Sequence, residues 1–150
     1  MVNVLTSELN APEVIAKMLV QRGVDSPEKV KKFFNPRIGD MHDPFLMKDM
    51  DKAIERIQKA QEQGEGVLIF GDYDVDGTTS VALAYSFFKD KFDKIDYYIP
   101  DRYKEGYGIS NDGIHYAKAN GLILIIALDC GIRSVDKVAD ASSLGIDFII

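Results

Sequence analysis

Four short apolar runs dominate the second half of this 150-residue chain: Val67-Leu68-Ile69-Phe70, Ile95-Asp96-Tyr97-Tyr98-Ile99, Leu122-Ile123-Leu124-Ile125-Ile126-Ala127-Leu128 and Ile146-Asp147-Phe148-Ile149-Ile150. Each is shorter than an ordinary helix and rich in β-branched or aromatic residues, which marks a strand. Helical patterns separate them, over Thr78 to Lys89, Ser110 to Asn120 and Ser134 to Leu144. Strand and helix therefore alternate, and strands apolar on both faces belong to sheets covered on both sides. The expected fold is α/β, a parallel sheet with helices on both faces. Ligands of such sheets bind beyond the carboxyl ends of the strands, so the residues that follow each run are the ones to inspect.

Residues 1–64 follow a different grammar and predict a small helical N-terminal segment. Asn10 with Glu13 resembles a capping box, and Val14, Ile15, Met18 and Leu19 then recur at helical spacing. Ser26-Pro27 opens a further helix with Val30, Phe33 and Phe34 expected inward, and Asn35-Pro36 ends it. Pro36 to Met50 has neither period and predicts a covering loop. Met50 to Gln63 predicts a helix with Ala53, Ile54, Ile57 and Ala60 inward. The expected organisation is a helical lead-in over 1–64 and the first part of an α/β domain over 65–150. The last apolar run carries no turn or helix after it, so the sequence is expected to be part of a longer protein.

Composition narrows the function classes. The single Cys130 forms no internal disulfide, and no basic region leads into an apolar run at the N-terminus, which together predict a cytoplasmic protein. The longest apolar run, Leu122 to Leu128, is far below the roughly 20 residues that span a bilayer. The net charge of −6 opposes a broad basic face for nucleic acid. The acidic excess is uneven: residues 1–66 carry 10 basic and 11 acidic side chains, and residues 67–150 carry 8 and 13. Two divalent cations at Asp72, Asp74, Asp76 and Asp129 would offset about four of those negative charges.

Asp72, Asp74 and Asp76 alternate immediately after the first strand. In an extended segment alternate side chains share one side, so the chain sets out a one-sided row of carboxylates. Alternate residues lie roughly 6.5 to 7 Å apart, so a straight row would serve two ions, or else the turn curls it together. Gly71 and Gly77 flank the row and are expected to supply the curl. Thr78, Thr79 and Ser80 are expected to start the next helix, whose N-terminus favours a substrate phosphate. Hard oxygen ligands without nearby Cys or His suit Mg²⁺ or Mn²⁺. Asp129 ends the third strand and is expected at the same sheet edge, where carboxylates on two cations could activate a water for attack at phosphorus. An EF-hand loop is excluded, because its final ligand position holds Leu83 and a strand precedes it. Asp74-Val75-Asp76-Gly77-Thr78 also resembles the first motif of haloacid-dehalogenase-type phosphatases. There the nucleophile closes the strand directly, whereas here Gly71-Asp72-Tyr73 intervenes.

The segment Leu68 to Ser80, with its Gly71-Asp72-Tyr73-Asp74-Val75-Asp76-Gly77 core, resembles motif one of the DHH phosphoesterase superfamily in its RecJ branch. Leu128-Asp129-Cys130-Gly131-Ile132 resembles the second motif, and Pro100 to Ser110 resembles the loop between them. Phe34-Asn35-Pro36 and Asp43-Pro44-Phe45-Leu46 resemble the branch's N-terminal lead. Asp72 stands where relatives acting on dinucleotides or polyphosphate usually have His. The resemblance implies the first half of a DHH domain and a 5′–3′ exonuclease of single-stranded DNA in repair and recombination. It further implies Asp72, Asp74, Asp76 and Asp129 as ligands of a two-metal Mn²⁺ or Mg²⁺ site, with Asp74, Asp76 and Asp129 catalytic. The superfamily's Asp-His-His motif would follow Ile150, so these residues alone imply an incomplete site and an inactive fragment. Single-strand-binding protein and a helicase are implied partners of the full-length protein; a membrane is not. A non-catalytic domain that binds metal or nucleotide remains the alternative.

Arg102 and Tyr107, with Lys104, are candidate phosphate and base contacts of the inter-motif loop. Cys130 has no His placed in sequence to activate it and is expected to be a small packed residue. His42 and His115 are isolated and are not expected to be ligands.

Overall fold

In the computed structural model, which describes residues 1–150, the four apolar runs form one parallel sheet. The strands are β1 (Gly66–Gly71), β2 (Ile95–Tyr98), β3 (Leu122–Leu128) and β4 (Asp147–Ile149), in the order β2-β1-β3-β4. Helices α4 (Met50–Glu62), α5 (Val75–Phe88), α6 (Asn111–Ala119) and α7 (Val135–Ser143) complete the unit Lys48–Ile150. Val67 and Ile69 of β1 and Leu124 and Ile126 of β3 face a core shared with Ala60 of α4 and Val81 of α5. Leu68, Phe70, Ile125 and Ala127 face the opposite core, with Ile114 and Ala117 of α6 and Ala141 of α7. Helices thus cover both faces. Each fully buried aliphatic or Phe side chain is worth about 1.5–3 kcal/mol over exposure, more than helix propensity supplies, so the two-sided sheet holds this unit together.

The strand order positions a site. From β1 the chain crosses to β2 on one side, and from β3 it moves to β4 on the other. The direction changes between β1 and β3, and the crevice beyond their carboxyl ends is where an open α/β sheet binds ligands.

Helix α4, grouped above with the N-terminal lead-in, instead packs in the sheet unit through Ala60 and Ile57, so the compact units divide between Met47 and Lys48. Arg56 fixes it further. Its guanidinium lies 2.6 Å from Glu65 and 2.7 Å from Asp147 on edge strand β4. Arg56 and Glu65 side chains are 18% and 11% exposed, whereas Asp147 is 60% exposed, so the first pair is the consequential one. Arg56→Ala is expected to destabilise the fold by about 3 kcal/mol, because it strands a nearly buried carboxylate. Urea unfolding measures this, and a loss below about 1 kcal/mol would show that water reaches Glu65 freely.

The unit Met1–Met47 packs three short helices, α1 (Val2–Leu9), α2 (Glu13–Gln21) and α3 (Pro27–Phe34), around Leu5, Ala16, Leu19, Val24 and Val30. The first helix escapes the periodicity argument. Asn10 ends it in the left-handed conformation rather than opening α2, which starts after Pro12. Ser26 caps α3 as expected, accepting from the Lys29 amide. Phe33 and Phe34 do not point inward: both are more than half exposed and meet edge to face at 5.1 Å. Val14, Ile15 and Met18 are likewise exposed, and Ala16 and Leu19 make the contact instead. No helix of the molecule is long and apolar enough to cross a membrane.

Candidate active site

Gly71 of β1 pairs with Leu128 of β3, so Asp72 and Asp129 are the next residues on neighbouring central strands, which run about 4.8 Å apart. Asp72 is buried, and its Oδ1 accepts from the Tyr73 amide at 2.8 Å. The turn after it is tighter than a straight row of carboxylates requires. Asp74 is extended (φ −81°, ψ −176°) and its Oδ1 accepts from the Gly77 amide at 2.9 Å, which makes it the N-cap of α5. Asp76 therefore sits in the first helical turn, and the row curls at Asp74 rather than at Gly77.

Neither flanking glycine adopts positive φ. Their role is close approach. A Cβ on Gly77 would lie 2.6 Å from the Asp72 backbone nitrogen, and one on Gly71 would meet a Val81 methyl and the Gly77 carbonyl. Strand end and helix start are locked backbone to backbone.

Asp129 is left-handed (φ 58°), a conformation that Asp tolerates better than most residues at a cost of order 1 kcal/mol. Gly131 (φ 99°) continues the reversal, and the Ser134 amide closes it onto the Gly131 carbonyl at 2.8 Å. Desolvation, then the charges of Asp74, Asp76 and Asp72, push the Asp129 carboxyl above the ordinary carboxylate range. The four aspartates thus lie within electrostatic reach of one another and call for positive charge. All are hard oxygen donors, which suits Mg²⁺ or Mn²⁺. The donors fit such an ion in kind, yet no three His, Cys, Asp or Glu side chains gather closely enough to hold one by themselves.

The inter-motif loop reaches this edge. Arg102 stacks over the ring of Tyr73, between Asp72 and Asp74, at 5.3 Å. Tyr107 lines a cleft of about 760 Å³ together with Asp129, Cys130, Ile132, Arg133 and Ser134. Desolvation raises the Tyr107 phenol, and Asp72, Cys130, Asp129 and Asp74 add to the rise. The loop is self-supporting: Asp101 Oδ1 accepts from the Tyr103 and Lys104 amides, and Glu105 accepts from the Asp101 amide and the Tyr98 hydroxyl. Lys104 borders a separate small cleft with Glu105 and Lys137.

Thr78, Thr79 and Ser80 are placed differently from the expectation. Helix α5 already starts at Val75, so its open first turn belongs to Val75 and Asp76. The Thr78 hydroxyl donates back to the Asp74 carbonyl at 2.7 Å, Thr79 is exposed, and Ser80 lines an apolar groove with Leu83, Ala84, Phe87 and Leu128. Burial, then Asp72 and Asp129, push the Cys130 thiol up to about 11, the direction opposite to that of an activated thiolate. Sequence reasoning missed Tyr73, Ile132, Arg133 and Ser134, although their positions just after β1 and β3 are signal enough.

The chain is similar to the single-stranded-DNA-specific exonuclease RecJ of Bacillus subtilis (strain 168), 40% identical over 146 residues, which covers 97% of this chain and 19% of that protein. It is also similar to exonuclease RecJ bound to manganese, with TM-score 0.61 and 25% identity over 68% of this chain and 26% of that one. RecJ in complex with Mn²⁺ from Thermus thermophilus superposes with TM-score 0.68 over 98% of this chain and 20% of that one, at 19% identity, a likeness of fold alone. These 150 residues span about a fifth of the length of the curated relative at 40% identity. Residues 66–150, from the start of β1 through β4, match the DHH family, N-terminal domain, and the chain belongs to the DHH family.

Proposed function

We propose that this chain carries half of the catalytic centre of a metal-dependent exonuclease that hydrolyses phosphodiester bonds of single-stranded DNA. The observation that carries this reading is the convergence of Asp72 and Asp129 at the paired ends of β1 and β3, with Asp74 and Asp76 curled beside them. Asp72, Asp74, Asp76 and Asp129 would hold Mn²⁺ or Mg²⁺, and the other ligands would come from the part of the relatives' length that these residues do not span. A bound cation would polarise the phosphate and generate a nucleophilic water. Around it, Asp74 keeps one oxygen committed to the helix cap and the other available. Asp129 projects from its left-handed turn into the cleft. Arg102 and Tyr107 frame the edge, where a guanidinium suits phosphate and a phenol ring suits a base face. The 5′–3′ direction, the role in repair and recombination in the cytoplasm, and partnership with single-strand-binding protein and helicase follow the RecJ resemblance. The isolated segment should be inactive.

A haloacid-dehalogenase mechanism is disfavoured by the same geometry, because Asp74 caps a helix three residues beyond the strand instead of closing it. Calorimetric titration of the whole natural protein with Mn²⁺ tests the metal site: binding is expected, weakened at least about tenfold in Asp129→Asn. Equal affinity in the variant would remove Asp129 from the site. A non-catalytic metal-binding domain would instead leave the whole natural protein unable to cleave single-stranded oligonucleotides in Mn²⁺.

A further inference from the structure

We infer that Arg133 holds a phosphate of the bound strand that flanks the one being cleaved, which makes the β3–α7 side of the cleft the track along which single-stranded substrate leaves the carboxylate edge. This rests on the proposed function and adds a residue and a direction of travel to it. Arg133 is the only basic side chain lining the 760 Å³ cleft that contains Asp129. An arginine four residues from a cluster of carboxylates would ordinarily pair with one of them. Arg133 pairs with no acid of these 150 residues. Its guanidinium shares the cleft with Asp129 without forming an ion pair with it, and is open to another anion.

The rest of the cleft matches the same ligand. Within these 150 residues Tyr107 is 69% exposed and Ile132 83% exposed, so an aromatic ring and an apolar side chain stand open beside the guanidinium. Single strands are bound by this combination, bases on π or apolar faces and backbone along a cation, and the stacking tolerates any sequence. The backbone at this wall is a hydrogen-bonded turn, with Asp129 and Gly131 both left-handed and the Ser134 amide bonded to the Gly131 carbonyl. Arg133 thus hangs from a closed turn. It is a positioning residue: a contact to a flanking phosphate is made equally before and during cleavage, so it acts on binding and not on the chemical step.

The test is steady-state cleavage of a single-stranded oligonucleotide by the whole natural protein in Mn²⁺, as a function of salt. Arg133→Gln is expected to raise KM about tenfold with kcat within about twofold, the pattern of a lost uniform contact. The slope of log kcat/KM against log salt should become shallower by about 0.7, the signature of one phosphate contact on a single strand. Arg133→Lys keeps the charge and should restore the slope and most of KM. Unchanged KM and slope in Arg133→Gln, with the wild-type protein active, overturns the inference and leaves the proposed function intact. A fall in kcat at constant KM also overturns it, since Arg133 would then act on the reacting phosphate. A wild-type protein that does not cleave single-stranded DNA overturns the proposed function itself.

Discussion

Asp74→Asn in the whole natural protein is expected to reduce hydrolysis of single-stranded DNA by about three orders of magnitude while leaving the folded state almost as stable as before. Two roles meet in this side chain and the substitution separates them. One oxygen accepts from the Gly77 amide and caps α5. Asn is as good an N-cap as Asp, so that hydrogen bond survives. The negative charge does not survive. Metal-assisted stabilisation at phosphorus is worth several kcal/mol, and each 1.36 kcal/mol is a factor of ten in rate, so losing a ligand should cost about a thousandfold. Asp74→Ala removes both roles. It should lose the same activity and in addition about 1 kcal/mol of stability. The pair of variants, assayed for rate and for urea unfolding, distinguishes a ligand from a cap. If Asp74→Asn keeps activity within tenfold of wild type while Asp74→Ala loses it, Asp74 serves the helix and not the metal.

The same residue shows where sequence reasoning succeeds and where it stops. The sheet was legible because β1 and β3 are apolar at every position, and only burial on both faces explains that. Strand ends were legible too, so Asp72 and Asp129 could be assigned to one edge before any coordinates. Helix α1 was not, because Val2 to Leu9 opens on β-branched residues and has no side-chain cap to announce it. Helix α5 starts at Val75, three residues before the Thr78 that the sequence pattern predicts. A period-two row of aspartates argues for extension, and nothing local says that Asp74 turns its own oxygen back to the Gly77 amide. Phe33 and Phe34 illustrate a different limit: periodicity identifies a face, but not whether anything covers it. A helix beginning at Thr78 would put Ser80 on the phosphate side; begun at Val75, the helix places Ser80 in the apolar groove beside Leu83 and Phe87.

Gly77→Ala should be the most damaging single methyl in the sheet unit. Helix propensity predicts the reverse, since Ala in a helix interior is favoured over Gly by about 1 kcal/mol and Gly77 needs no positive φ. Sterics oppose this and win. The added Cβ would stand 2.6 Å from the Asp72 nitrogen and 2.7 Å from its carbonyl carbon, with the carbonyl oxygen nearer still. These are backbone atoms of a turn that leaves a buried strand, so they cannot rotate away as a side-chain tip would. Relief requires α5 to lift from β1, and Gly71, pressed against Val81 and the Gly77 carbonyl, leaves no slack for that movement. Overpacking of this kind costs about 1–3 kcal/mol and occasionally more, and the rigid partner places Gly77→Ala at about 3 kcal/mol before the propensity gain. A net loss of about 2 kcal/mol is expected in urea unfolding, against almost none for Thr79→Ala on the exposed side of the same helix. Mn²⁺ affinity should fall with it, although no carboxylate has been altered, because the atoms displaced are those that carry the Asp72 side chain. A variant as stable as wild type would mean that the strand end yields, and then the position of Asp72 is not set by the glycine contact.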